Sequence, residues 1–227
     1  MPLAHGVVDA TYRWASNILP LSWFETVRAY RAQNDFRQAG VVFLHVPRAA
    51  GLSVGRTLYR RDIFHFTAAQ MLRVLPADVL ALPRFAIVRN PWDRTVSAYH
   101  FAKQGGVPGG AQMAHPERYR GSDFATFEAF VKRYLARHDL RLIDGVFRPQ
   151  SAYLILKDGT VPFDHIGSFE RLTETEHWLS QILGHQIRLP KINGTHRREY
   201  RDYFTDETRE IVGQLYHCDV SAFGFEF

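Results

Sequence analysis

The stretch Val41-Val42-Phe43-Leu44-His45-Val46 holds a single polar position in an otherwise apolar run. A run this short and this apolar is the pattern of a strand covered on both faces, and it predicts a parallel-sheet strand over residues 41–46. Ser53 to about Tyr59 then reads as a helix. A second short run, Phe85-Ala86-Ile87-Val88, ends at Arg89-Asn90-Pro91, and helical spacing resumes from about Asp93 with Val96, Tyr99 and His100. Strand, turn and helix therefore occur twice in order, the signature of βα units. Upstream, residues 12–32 predict a partly amphipathic helix carrying Trp14, Ile18, Trp23, Phe24 and Val27. Residues 104–123, rich in Gly and interrupted by Pro108 and Pro116, predict a long exposed loop, a feature that inside a compact domain is functional or disordered. Beyond it the pattern predicts a helix from Phe124 to about Arg137, strands at Tyr153–Leu156 and His165–Phe169, and a helix near Thr173–Leu183. A last helix is expected from Thr205, its cap, to about Tyr216.

At 227 residues and 46% hydrophobic content the chain is long enough for one α/β domain with a substantial core. We divide it into an N-terminal helical segment, residues 1–40, packed on a domain of residues 41–227. The 28 Lys and Arg against 23 Asp and Glu leave a net charge of +5, which suits an anionic ligand. The basic residues are scattered apart from Thr195-His196-Arg197-Arg198, so no nucleic-acid partner is expected. Cys218 is the single cysteine, and the eleven histidines show no metal-ligand spacing. No segment is apolar enough to span a bilayer and the N-terminus lacks a signal-peptide layout, so a soluble cytoplasmic protein is expected.

The turn after the first strand changes this generic picture. "VFLHVPRAAGLS", residues 42–53, has the outline of a phosphate-binding loop, yet Leu52 stands where a nucleotide-triphosphate loop carries lysine. Its one cation, Arg48, lies three residues before Gly51. A loop opening a helix offers backbone N–H groups and a positive dipole end to an anion. Arg48, Ala49, Ala50, Gly51, Leu52 and Ser53 are the candidates here, with Gly51 permitting close backbone approach and Ser53 adding a hydroxyl. A tight βα turn also favours glycine and a capping serine for structure alone. The second turn supplies Arg89, whose fork can hold a phosphate in bidentate fashion.

Together, "FLHVPRAAGLS", "FAIVRNPWDRTVSAY", "FRPQSAYL", "FDHIGSFERL" and "YRDYFTDETREIVGQLYHCDVSAFGF" resemble the sulfotransferases that use 3′-phosphoadenosine 5′-phosphosulfate, in particular the carbohydrate branch and its bacterial relatives. The likeness runs from about Val41 to the C-terminus. It implies a P-loop-like single α/β domain with a central parallel sheet flanked by helices, and sulfuryl transfer without a metal to a hydroxyl of a carbohydrate or glycosylated metabolite. It also implies that the first loop holds the phosphosulfate while Arg89 and Ser97 hold the 3′-phosphate. The family's first loop typically reads HIPKTAGTS, with lysine where this chain has Arg48. Arginine can stabilise charge on the leaving phosphate but is a poor proton donor.

His65, in "IFHFTAAQML", aligns with the catalytic histidine of the uronyl 2-O-sulfotransferases, and the alternative is a histidine packed among aromatic residues. His45 and His115 are the substitutes for the role of base. "KINGTHRREYRDYF" lies where related enzymes close a loop over the nucleotide, which makes Lys191, Thr195, Arg197 and Arg198 candidate phosphate ligands or simply a solvated basic loop. Trp92 and Asp93 read as structural, Glu170 as a strand-end structural group in preference to a base, and Gln150 and Tyr153 as substrate contacts or as ordering the third strand. Two other functions compete: a small-molecule kinase, which lacks its lysine here, and a non-catalytic nucleotide-binding module.

Overall fold

The computed structural model describes residues 21–107, 111–190 and 198–227. Three of the predicted strands pair in parallel: β1 (Val42–Leu44), β2 (Arg84–Val88) and β3 (His165–Ser168), in the order β1-β2-β3. Phe43 lies opposite Phe85, and Phe85 opposite His165. β1 is shorter than its apolar run, although Val41 and Val46 on either side are fully buried. The chain is thus an α/β fold in which each strand leads from its carboxyl end into a turn on the same edge of the sheet.

Helix α1 (Leu21–Ala39) packs on the sheet core through Ala29, Ala32 and Phe36, and Glu25 is buried on the same helical face against Gln70 and Arg148. The expected apolar face is displaced: Trp23 is half exposed, while Trp14 and Ile18 lie outside the described residues. α2 (Gly51–Val54) continues as a π-helical turn over Gly55–Tyr59, giving nine helical residues after the first loop. α3 (Ala68–Val74), opened by a Thr67–Gln70 capping box, and the short α4 (Ala77–Leu80) precede β2 and were not expected from the pattern. α5 (Pro91–Gln104) follows β2, capped by the Asn90 side chain, which accepts from the N–H groups of Trp92 and Asp93.

The far face of α5 belongs to a second, aromatic cluster. Tyr99, Tyr119, Phe124, Phe127, Phe130 and Phe147 are all buried there. Met113 and Tyr119 come from the segment expected to be an exposed loop, and short 3₁₀ turns at Pro116–Tyr119 and Ser122–Phe124 anchor it instead. Apolar burial overrides its Gly-rich composition. The helix expected over residues 124–137 is broken into α6 (Phe127–Ala129), a π turn over Phe130–Tyr134 and a 3₁₀ turn over Leu135–Arg137.

One expected strand is a helix. Residues 153–156 carry a strand-like pattern, but α7 spans Ser151–Leu154. The Asp219 carboxylate, fully buried, accepts from the N–H groups of Gln150 and Ser151, both at 2.8 Å. An acceptor for two first-turn N–H groups nucleates a helical turn that the local sequence does not announce. α8 (Leu172–Leu183), α9 (Asp206–Leu215, with Thr205 capping) and α10 (His217–Phe223) complete the described fold.

Candidate anion-binding and transfer site

The carboxyl ends of all three strands open on one cleft of about 1900 Å³. Arg48 and Gly51 line it after β1, Arg89 and Asn90 after β2, and Phe169 and Glu170 after β3. Ligand sites of open α/β sheets lie at such strand ends, because loops there are free to vary while the sheet holds them in register.

The first loop is bent into an unusual backbone. Arg48 (φ 68°) and Ala50 (φ 58°) are both left-handed, while Ala49 between them is not. Alternation of this kind curls consecutive N–H groups toward one side, and left-handed non-glycine residues cost of order 1–3 kcal/mol each, a burden that clusters at ligand sites. Helix α2 then starts at Gly51 with no side chain capping it. The first-turn N–H groups of Gly51, Leu52 and Ser53 therefore face the loop without intrahelical acceptors. Ser53 differs from expectation: its hydroxyl donates to the Pro190 carbonyl at 2.5 Å, tying the helix to the chain just before residues 191–197.

Arg48, Arg89 and Ser97 are drawn together. Arg48 Nε donates to Ser97 Oγ at 3.0 Å, and its guanidinium lies 4.7 Å from the centre of the Phe101 ring. Arg89 donates from one terminal nitrogen to the Arg48 carbonyl at 3.1 Å and from Nε to Asp93 at 2.7 Å, while its plane sits 4.1 Å from the Phe169 ring centre. The Arg89 backbone is held as firmly. The Gln150 amide accepts from the Arg89 N–H at 2.9 Å and donates to the Arg89 carbonyl at 2.8 Å. Asp219, by fixing Gln150, stands behind this clamp.

Two histidines form the adjoining wall. Their rings lie 4.2 Å apart, half-buried. His45 Nδ1 is 2.6 Å from the Ile63 carbonyl, and His65 Nδ1 is 2.9 Å from the His45 carbonyl. A carbonyl only accepts, so each Nδ1 carries a hydrogen and each neutral ring keeps its lone pair on Nε2. Burial, and secondarily the positive charge of Arg48, pulls the pKa of His45 down to about 4. Burial likewise holds His65 well below the usual histidine value, helped by His45, Arg28 and Arg148.

Of the other expected residues, Arg198 and His115 line the cleft, and Arg198 lies 4.9 Å from the Tyr203 ring centre. Lys191, Thr195 and Arg197 lie outside the described residues. Glu170 accepts from the Asn90 N–H and from the Ser168 hydroxyl, a structural role within the cleft wall. Tyr153 is buried and donates to the Gly145 carbonyl. The Asp93–Arg89 pair sits at a helical i, i+4 spacing that the sequence displays. The Asp219 clamp leaves no sequence signal, since its partners are 68 and 69 residues away.

These features define an α/β protein with cationic, N–H-rich turns at the carboxyl ends of its parallel strands. The model of the Sulfotransferase family matches residues 35–226, so the chain belongs to that family and is a sulfotransferase. None of the curated proteins matches it significantly in sequence.

Proposed function

We propose that the protein moves a sulfuryl group from 3′-phosphoadenosine 5′-phosphosulfate to a hydroxyl of a carbohydrate or glycosylated metabolite. The observation that carries this reading is the Arg48–Ser97–Arg89 cluster, which joins two adjacent βα turns on a cleft whose neighbouring wall presents a neutral histidine with Nε2 unprotonated. The donor has two anionic ends, and two such turns supply cations and N–H groups for both. The residues therefore fit it: the first-turn N–H groups and Arg48 for the phosphosulfate, Arg89 and Ser97 for the 3′-phosphate.

When bound, the donor supplies a sulfuryl group whose departure leaves negative charge on a phosphate oxygen. Arg48 stabilises that charge as a fixed cation rather than as a proton source, since guanidinium does not deprotonate in proteins. His65 takes the acceptor proton at Nε2, the nitrogen its bond to the His45 carbonyl leaves free. Asp93 and Phe169 keep the Arg89 fork in place before the nucleotide arrives. The kinase alternative is less well supported, because Leu52 stands in place of the lysine that reaches the β- and γ-phosphates.

The test is release of 3′-phosphoadenosine 5′-phosphate from the donor, measured with a panel of saccharide and glycoside acceptors. Acceptor-dependent release is expected. Donor binding without release for any acceptor would favour the binding module, and turnover of ATP–Mg²⁺ would favour the kinase.

A further inference from the structure

An imidazole fills the space that any side chain at position 51 would need. A Cβ placed on Gly51 would lie 1.6 Å from His45 Nε2, 2.0 Å from Cδ2 and 2.1 Å from Cε1. Even alanine would therefore run into the ring edge. Left-handed backbone is not the reason for glycine here, because the positive φ values of this loop belong to Arg48 and Ala50. Nor can the ring withdraw. Its far nitrogen donates to the Ile63 carbonyl at 2.6 Å, and it packs between Phe43, at 5.7 Å between ring centres, and His65, at 4.2 Å.

His45 thus touches both halves of the site. Its side chain bridges Gly51, where α2 begins, to Ile63, two residues before His65. Its own carbonyl accepts from His65 Nδ1. We propose that His45 is a positioning residue that couples the donor loop to the base: it seats His65 with Nε2 free, and position 51 is glycine to admit the His45 ring. This rests on the sulfuryl-transfer reading with His65 as base. Arg48 beside His45, and Arg28 and the Glu25-paired Arg148 around His65, favour the neutral rings that leave Nε2 free.

Two measurements test this, the first of which needs no turnover. Long-range ¹H–¹⁵N NMR of the full chain with 3′-phosphoadenosine 5′-phosphate at neutral pH should show both imidazoles protonated on Nδ1, the rarer tautomer of a free histidine. An Nε2-protonated His65 overturns the proposal. In His45→Ala the residue-45 carbonyl remains, so His65 should keep its Nδ1 proton while losing the ring packed against it. Turnover should fall by roughly 10–10²-fold, the scale of a misplaced catalytic group, while nucleotide affinity stays within about 3-fold. His45→Asn, whose amide can still donate to Ile63, should recover most of the turnover. A merely space-filling His45 would instead lower the melting temperature and leave turnover unchanged.

The second measurement combines Gly51→Ala with His45→Ala. If the glycine makes room for the ring, the double variant is no worse in turnover than His45→Ala alone. If the glycine instead lets the nucleotide approach the backbone, Gly51→Ala weakens nucleotide binding whether or not His45 is present, and that outcome contradicts the proposal. Should Gly51→Ala not fold alone, folding restored by His45→Ala supports it, and a double variant that also fails to fold counts against it. His65→Ala separates this proposal from its parent reading. Normal turnover in that variant refutes the base assignment, whereas the tautomer and the double variant report on the seating itself.

Discussion

Arg89 is engaged before any ligand arrives, and this changes what its removal should do. Read from the sequence, Arg89→Ala removes a phosphate fork and leaves the fold intact. In the structure the same change also removes the ion pair that Arg89 makes with Asp93 in a poorly solvated place, where the Asp93 side chain is 13% exposed. We expect nucleotide affinity to fall by the equivalent of about 2–4 kcal/mol. Stability should fall by about 1–3 kcal/mol, the scale for stranding a hydrogen-bonded partner; calorimetric titration and thermal melts on one preparation measure both. Unchanged affinity would remove Arg89 from the site. Arg48→Lys probes the departure from the family loop. Lysine restores a donor that can follow the leaving oxygen but cannot keep both the Ser97 bond and the broad contact with Phe101. Turnover at saturating donor should be preserved or raised while donor affinity weakens; a large loss of turnover would mean that the site depends on the guanidinium fork. The histidines add a pH dependence. His45 has its pKa near 4 in the folded chain, below the value of about 6.5 for an unfolded histidine. Folding therefore favours the neutral ring, so this group takes nothing from stability above pH 6.5. It subtracts progressively as pH falls toward 4, by about 3 kcal/mol in all. Denaturant melts of wild type and His45→Asn across pH 4–7 should converge at the acid end. With His65 as the proposed base, the acid limb of turnover should lie below the pH 6–7 that an unperturbed histidine suggests.

At the scale of elements, what the sequence displays is what local pattern controls. Two apolar runs followed by tight turns announce β1 and β2, and the helical spacing from about Asp93 announces α5, which begins two residues earlier at Pro91 because Asn90 caps it and proline fits the first helical turn. The Thr205 cap of α9 is equally local. Residues 153–156 go the other way. Tyr153 and Leu154 look like strand residues, and they are helical because a carboxylate from α10 reaches back to the start of α7. No window of sequence contains both partners. Likewise Gly51 reads as a place for a ligand to approach, and only the fold reveals the imidazole that occupies the space. The remote Asp219 yields a prediction at this scale. Asp219→Ala leaves two buried N–H groups unpaired and frees Gln150, so stability should drop by about 2–4 kcal/mol. Nucleotide affinity should weaken as well, although Asp219 is absent from the cleft lining. A stability loss with unchanged affinity would show that the Gln150 clamp on Arg89 is not needed for binding.

Over the whole molecule, two cores enclose the cleft from different sides. One lies around the sheet and α1; the other is the aromatic cluster between α5, residues 113–147 and α9. The sheet contributes the cationic turns, and the aromatic side contributes Tyr119 and Tyr134 to the lining. Composition hid that second core: a glycine-rich segment with scattered aromatics looks like an exposed loop until Phe124, Phe130 and Phe147 close over it. Family membership fixes the class of reaction, and the arrangement of Arg48, Arg89 and Ser97 supports a particular donor. The measurement that bears most directly on that donor is calorimetric titration of the full chain with 3′-phosphoadenosine 5′-phosphate, adenosine 5′-phosphate and ATP–Mg²⁺ under identical salt. A second anion site built on Arg89 and Ser97 predicts that the 3′-phosphate adds about 2 kcal/mol or more, a preference of roughly 30-fold over adenosine 5′-phosphate. Equal affinities for the first two nucleotides, or tighter binding of ATP–Mg²⁺, would contradict the account.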